Sequence, residues 1–237
     1  IAVDRLARLR FQQFHTWRPP SASARQDAIE LRRDSPEPWR RRSGGLAATG
    51  AGYASLVAVA LYTFFIRTRG ITDHFLMLRE QIRDWNIALG PISSLPLVGT
   101  PSTAGGHTFG PVFYWVLWLI RLTVGPFTGY LPHAGGVGLS ILQSVADIAL
   151  GIGILRATGS WVFAAATVLI VASSPFDLAL SSVIWNPVLA VVFAKVGTGL
   201  VLLWQDDLTR GRRMALAAVA WLAVQSSSVG QSGPSQA

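Results

Sequence analysis

Apolar positions run along this chain in long uncharged blocks separated by short polar breaks. Gly45–Ile66 contains 22 residues with no Asp, Glu, Lys or Arg, a helix of about 33 Å, long enough to span the hydrocarbon of a bilayer. Later blocks at 137–155, 159–174, 187–204 and 213–225 predict four more spans. Arg40–Arg42 stand just before the first block, so the positive-inside rule keeps the N-terminus cytoplasmic. Pro111–Leu122 is apolar too, but it is short and has Arg121 near its end. If it crossed, Arg156 and the cluster Arg210, Arg212, Arg213 would fall outside; if it lies along the outer surface, all four face the cytoplasm. Trp115, Trp118, Phe113 and Tyr114 suit the interface. The expected arrangement is therefore five spans, with external segments at 67–136, at 175–186 and beyond 225.

Composition supports the bilayer as solvent. Hydrophobic residues make up 51% and charged residues 14%, against roughly 25% charged in soluble domains. The net charge is +8, but the cations gather at one end, as in a membrane-flanking segment, which argues against nucleic acid as a partner. Residues 1–44 carry ten Arg against five acids, and Pro19, Pro20, Pro36 and Pro38 break any helix, so a basic, largely disordered cytoplasmic tail is expected. There is no Cys, which rules out disulfides and thiolate metal sites. The polar run 229–237 reads as a tail, and the chain as a piece of a longer reading frame. The fold class expected is all-α, a polytopic transmembrane helical bundle covering 45–228.

Two polar patterns stand out. Ser140, Gln143, Ser144 and Asp147 recur at i, i+3, i+4, i+7 and form one stripe on one helix. Lys195 lies midway along its own span, at the depth of Asp147, and an unpaired charge there costs roughly 2.5–3.5 kcal/mol, so the two are expected to pair. The second pattern is Gly70–Asn86, read as one amphipathic helix on the outer leaflet. Thr72 would cap it, Asp73 would sit in its first turn, and Asp73, Glu80 and Asp84 would share one face opposite Phe75, Leu78, Ile82 and Trp85. That face is either a solvated acidic surface or a source of a general base.

The stretch "VGTPSTAGGHTFGPVFYW" places Gly105, Gly106, His107 and Gly110 before an aromatic helix, with Pro111 expected at its first position. Such a loop either brings backbone amides up to a phosphate or makes a tight turn. His107 lacks the second histidine that a metal motif would need. In "SSVIWNPV", Asn186 is expected to cap a helix with Pro187 at its first position and Trp185 at the interface.

Taken in order, "TDHFLMLRE", "PLVGTPSTAGGHTFGPVFYW", "SSVIWNP" and "AVAWLAVQSSS" resemble the membrane glycosyltransferases of family 39, the protein-mannosyltransferase and aminoarabinose-transferase group, over roughly 46–228. The resemblance implies a GT-C fold, of which this chain is the N-terminal portion. It further implies sugar transfer from a polyprenyl-phosphate donor to an acceptor at the outer face of the inner membrane, with inversion. Asp73 would be the catalytic base, with Asp84 second. Donor or acceptor would meet Glu80, Gly105, Gly106, His107, Gly110, Tyr114, Trp185, Asn186 and Gln225. The chain departs from the family at Ser182, where relatives often carry Arg, and at Ser227, where they tend to carry His. The cofactor is unknown: GT-C enzymes differ in metal use, and no ligand cluster in this sequence points to one. The lipid-linked sugar and the bilayer are the implied partners, the acceptor being unidentified. The alternative is a non-catalytic multi-pass protein, transporter-like or scaffolding, built around Asp147 and Lys195.

Overall fold

The structure, a computed structural model, describes Ser21 and residues 46–75, 78–99, 110–181 and 183–226. The description below therefore concerns the unit Gly44–Ala237, and the basic segment 1–44 lies almost wholly outside it. The described residues are helical, with no strand among them.

Helix α1 (Leu46–Thr68) is the first apolar block. It ends two residues before Gly70, whose left-handed backbone (φ 68°) turns the chain into the single turn α2 (Ile71–His74). Then come α3 (Arg79–Leu89), α4 (Val112–Thr123), the long α5 (His133–Thr158), α6 (Trp161–Ala172), α7 (Pro175–Ser181), α8 (Asn186–Leu203) and α9 (Arg210–Ser226). Gly159 (φ 68°) closes α5 by donating its N–H to Leu155. Ser160 then caps α6, its hydroxyl accepting from the N–H of Phe163 at 3.3 Å. Ser174 does the same for α7, accepting from the N–H of Asp177 at 3.2 Å, with Pro175 opening the helix.

Three helical stretches are long and apolar enough to cross a membrane: Gly50–Asp73, His133–Thr158 and Asn186–Leu203. A fourth counts if α6 and α7, bent by 61° at Ser173–Ser174, make one broken span. The chain is thus a helical protein of membrane type. The sequence reading put a fifth span at 213–225; α9 covers it but has 17 residues, begins on Arg210, Arg212 and Arg213, and is not among the helices that qualify.

α5 is the axis of the bundle, packing against α1, α4, α6 and α8. Its glycines set how closely the neighbours approach. A Cβ on Gly153 would run into the backbone of Gly199, and one on Gly199 into the carbonyl of Ala149. This is the small-residue crossing through which membrane helices gain dispersion contact in the absence of a hydrophobic driving force. The pairs 153–199 and 147–195 share nearly the same offset, so α5 and α8 run parallel and end on the same side. Gly135, Gly136 and Gly138, nearer the start of α5, receive Ile184 and Trp85, Ile71 and Phe75, and Ile120 respectively. On these glycines sits a layer of short helices, α2 to α4, sharing a core with the first turns of α8.

That layer corrects several expectations. The helix predicted over Gly70–Asn86 is broken, because Phe75 is extended after His74, and Thr72 lies inside α2 rather than capping it. The register therefore changes between Asp73 and Glu80. Asp84 and Trp85 both point inward, while Leu78 is exposed, so no single acidic face exists. The short apolar helix expected at Pro111–Leu122 is present as α4. The helix there, about 18 Å long, buries Phe113, Tyr114, Leu117 and Ile120 against the bundle and exposes Trp115, Leu119 and Leu122. It starts at Val112, with Pro111 as the residue before it, because Gly110 (φ 70°) makes the turn that precedes it. Likewise α8 starts on Asn186 with Trp185 as the flanking residue, and Asn186 makes no cap.

Candidate functional site

Two polar groupings stand out, one in the layer of short helices and one in the bundle. In the layer, Asp84 is buried and its Oδ1 accepts from Arg83 Nε at 2.9 Å and from the Tyr114 hydroxyl at 3.2 Å. Burial pushes the Asp84 carboxyl above the usual carboxylate range; Arg83 and Tyr114 oppose that shift, and the Glu80 charge adds to it. The Tyr114 hydroxyl is raised as well, first by burial and then by the Asp84 charge. Arg83 is held more firmly protonated by its hydrogen bond to Asp84. The same helix is anchored twice more. Trp85 Nε1 donates to the Tyr130 carbonyl at 2.8 Å, and Gln81 Oε1 accepts from the Ile184 N–H at 3.2 Å.

Asp73 is exposed on α2, its carboxylate accepting from the Thr72 hydroxyl at 3.4 Å. Glu80 is exposed on α3. Among the expected site residues, Asp84 and Tyr114 are therefore brought together. So are Gly110 and Gln225, since a Cβ on Gly110 would overlap the Gln225 carboxamide. Asp73 does not share a helix with Asp84. Trp185 is exposed, whereas Asn186 is buried, its amide nitrogen without a partner among the described residues. Gly105, Gly106 and His107 lie outside the described residues. No group of three or more metal-ligating side chains occurs among the described residues.

The second grouping is a ring of four ions, each on a different helix. Lys195 Nζ on α8 lies 2.8 Å from Asp147 Oδ1 on α5 and 2.6 Å from Asp177 Oδ1 on α7. Arg67, in the last turn of α1, closes the ring. Its Nη2 contacts Asp177 Oδ2 and lies 2.8 Å from Asp147 Oδ2, the latter a charge contact without hydrogen-bond alignment. Nη1 donates to Ser144 at 3.1 Å, and Nη2 reaches the carbonyl of Ala172, where α6 breaks. Charges alternate around the ring and sum to zero, which is what makes their burial tolerable. The stripe continues outward through Ser140, whose hydroxyl donates to the Ser181 carbonyl at 3.1 Å, and past Gln143, whose fully buried amide has no protein partner among the described residues.

The expected pairing of Asp147 with Lys195 is thus present, but Arg67 and Asp177 were missed. Arg67 reads as the first residue after a span, and Asp177 as part of an external break. The Ser-Pro pair at 174–175 was the available signal, since it marks a helix start and puts Asp177 in a first turn. What the described residues define is a helical membrane-type bundle, tied by an internal ion ring and carrying a layer of short helices at one end. Comparison with protein-family models, with curated proteins and with solved structures finds no match.

Proposed function

We propose that the chain is the N-terminal portion of a GT-C-like inner-membrane glycosyltransferase with its N-terminus in the cytoplasm, transferring sugar from a polyprenyl phosphate at the outer face. The observation that carries this reading is the α2–α4 layer. It sets an exposed carboxylate, Asp73, on the same end of the bundle as the buried Asp84–Tyr114 pair. Asp73 acts as general base. It takes the proton of an acceptor hydroxyl as that oxygen attacks the anomeric carbon; the bond from that carbon to the phosphate oxygen breaks, and the polyprenyl phosphate leaves with the electron pair. Attack opposite the leaving group inverts the anomeric centre. Asp84, buried and held by Arg83 and Tyr114, is shielded from an acceptor hydroxyl and serves to fix α3 and α4 against each other.

The test is transfer of labelled sugar from synthetic polyprenyl-phosphate donors in membranes containing the protein. Asp73→Asn should lower transfer by roughly 100-fold or more, the usual contribution of a general base, with insertion unchanged. Transfer that survives this substitution removes Asp73 from the mechanism. A non-catalytic, transporter-like reading would rest on the ion ring. Complete pairing within the ring favours a structural tie instead.

A further inference from the structure

Between α8 and α9 runs an open groove of about 510 Å³. Gly197, Thr198 and Val201 line it from α8, and Leu216, Ala220 and Ala223 from α9; Thr198 is the only polar residue in its lining. α8 is one of the membrane-length helices, and the lining is apolar along its length, as a surface facing hydrocarbon would be. The α9 residues 216, 219, 220 and 223 recur at helical spacing, and Arg212 and Arg213 extend that face by one turn. Arg212 is already engaged, its Nη1 2.8 Å from Asp207 Oδ2 and its guanidinium 5.8 Å from the centre of the Trp204 ring. Arg213 and Arg210 are exposed and form no ion pair among the described residues. Because α5 and α8 run parallel, Arg156 at the end of α5 lies at the same end of the bundle.

We infer that this groove is a binding site for an anionic diacyl phospholipid, one acyl chain lying along α8 and α9 with the head-group phosphate on Arg213 and Arg210. An apolar groove facing a bilayer takes a hydrocarbon occupant. Arg213, one turn before Leu216 on α9, and Arg210 a further turn on, both exposed and without an ion pair among the described residues, favour a lipid with net negative charge over a zwitterionic one. This assignment is independent of the sugar-transfer reading.

A photoreactive benzophenone side chain introduced at position 220, in protein reconstituted with equal amounts of phosphatidylglycerol and phosphatidylcholine, reads the occupant directly by adduct mass. The phosphatidylglycerol adduct should exceed the phosphatidylcholine adduct by roughly fivefold or more. The double change Arg210→Gln and Arg213→Gln should bring the two to parity, while Arg213→Lys retains the preference. Gly197→Leu should suppress both adducts, because a Cβ there meets only Val219 Cγ1 at 3.4 Å and the longer side chain fills the groove. Equal adducts in the parent, a preference that survives loss of both arginines, or a protein–protein adduct of twice the chain mass would each overturn the assignment.

Discussion

Replacing Lys195 by methionine keeps an unbranched stem of similar length and deletes one charge from the ion ring. The Lys195 side chain is 7% exposed and holds Asp147 at 2.8 Å and Asp177 at 2.6 Å. Without it, Arg67 alone faces two buried carboxylates, and the ring passes from neutral to a net charge of about −1. Removing one partner of a buried pair costs about 3–5 kcal/mol. A domain of this size loses about 2–4 °C of thermal midpoint per kcal/mol, so a fall on the order of 10 °C is expected. Adding Asp147→Asn restores neutrality and leaves Arg67 with Asp177. The double variant should therefore be more stable than Lys195→Met alone, with a coupling energy of about 2 kcal/mol or more. Tryptophan fluorescence or fluorescence-detected size exclusion in detergent follows the midpoint for the parent, both single variants and the double. A Lys195→Met midpoint within about 2 °C of the parent, or a double variant as unstable as the two single losses summed, would refute the reasoning. Any transfer activity, expressed per folded molecule, should be unchanged in Lys195→Met, whereas a ring that moved ions would lose its function with the lysine.

Two further outcomes follow from the same geometry. The Asp84 carboxyl is raised above its ordinary 3.8 by burial, so the folded state holds that proton more tightly than the unfolded chain. Its contribution to stability is present at low pH and is lost as pH rises from about 4 through the raised value. The midpoint difference between the parent and Asp84→Asn should accordingly shift in favour of Asn across the mildly acidic range, and a difference that is flat with pH would contradict the burial argument. At the helix crossing, Gly199→Leu should separate α5 from α8, since its Cβ meets the Ala149 backbone. Overpacking alone costs about 1–3 kcal/mol, and a backbone neighbour cannot move aside as a side chain can. The expected loss is at the top of that range or beyond, and a midpoint unchanged from the parent would disprove the close crossing.

The apolar blocks located α1, α5 and α8 to within a few residues, because a bilayer-length helix is set by hydrophobic run length, a local property of the sequence. The polar stripe on α5 was legible for the same reason: residues at i, i+3, i+4 and i+7 share a face whatever they touch. The break at Phe75 was not. The acids and apolar residues of Gly70–Asn86 fit a continuous helix, and local spacing gives no reason for it to stop. Burial of Ile71 and Phe75 on Gly136, and of Trp85 on Gly135, is a tertiary demand that overrides local periodicity. For the same reason Asp84, expected on a solvated face, is turned inward to Tyr114, a residue 30 positions away.

Arg67 and Asp177 teach the complementary lesson about charge. Each lies at the boundary of an apolar block, where a hydropathy reading places it in water. A lysine and an aspartate inside the spans already cancel, so charge counting gave no reason to look further. Yet a single Lys–Asp contact leaves lone pairs and protons unsatisfied in a medium without water, and the geometry answers this by bridging each carboxylate to both cations. The Arg67 guanidinium also reaches the Ala172 carbonyl where α6 breaks, so the bend that brings Asp177 inward is stabilised by the same residue that pairs with it. The ring and the broken helix are thus one device. A helix break buried in a bundle needs polar partners for its freed backbone, and a buried pair of carboxylates needs cations; Arg67 of α1 serves both needs.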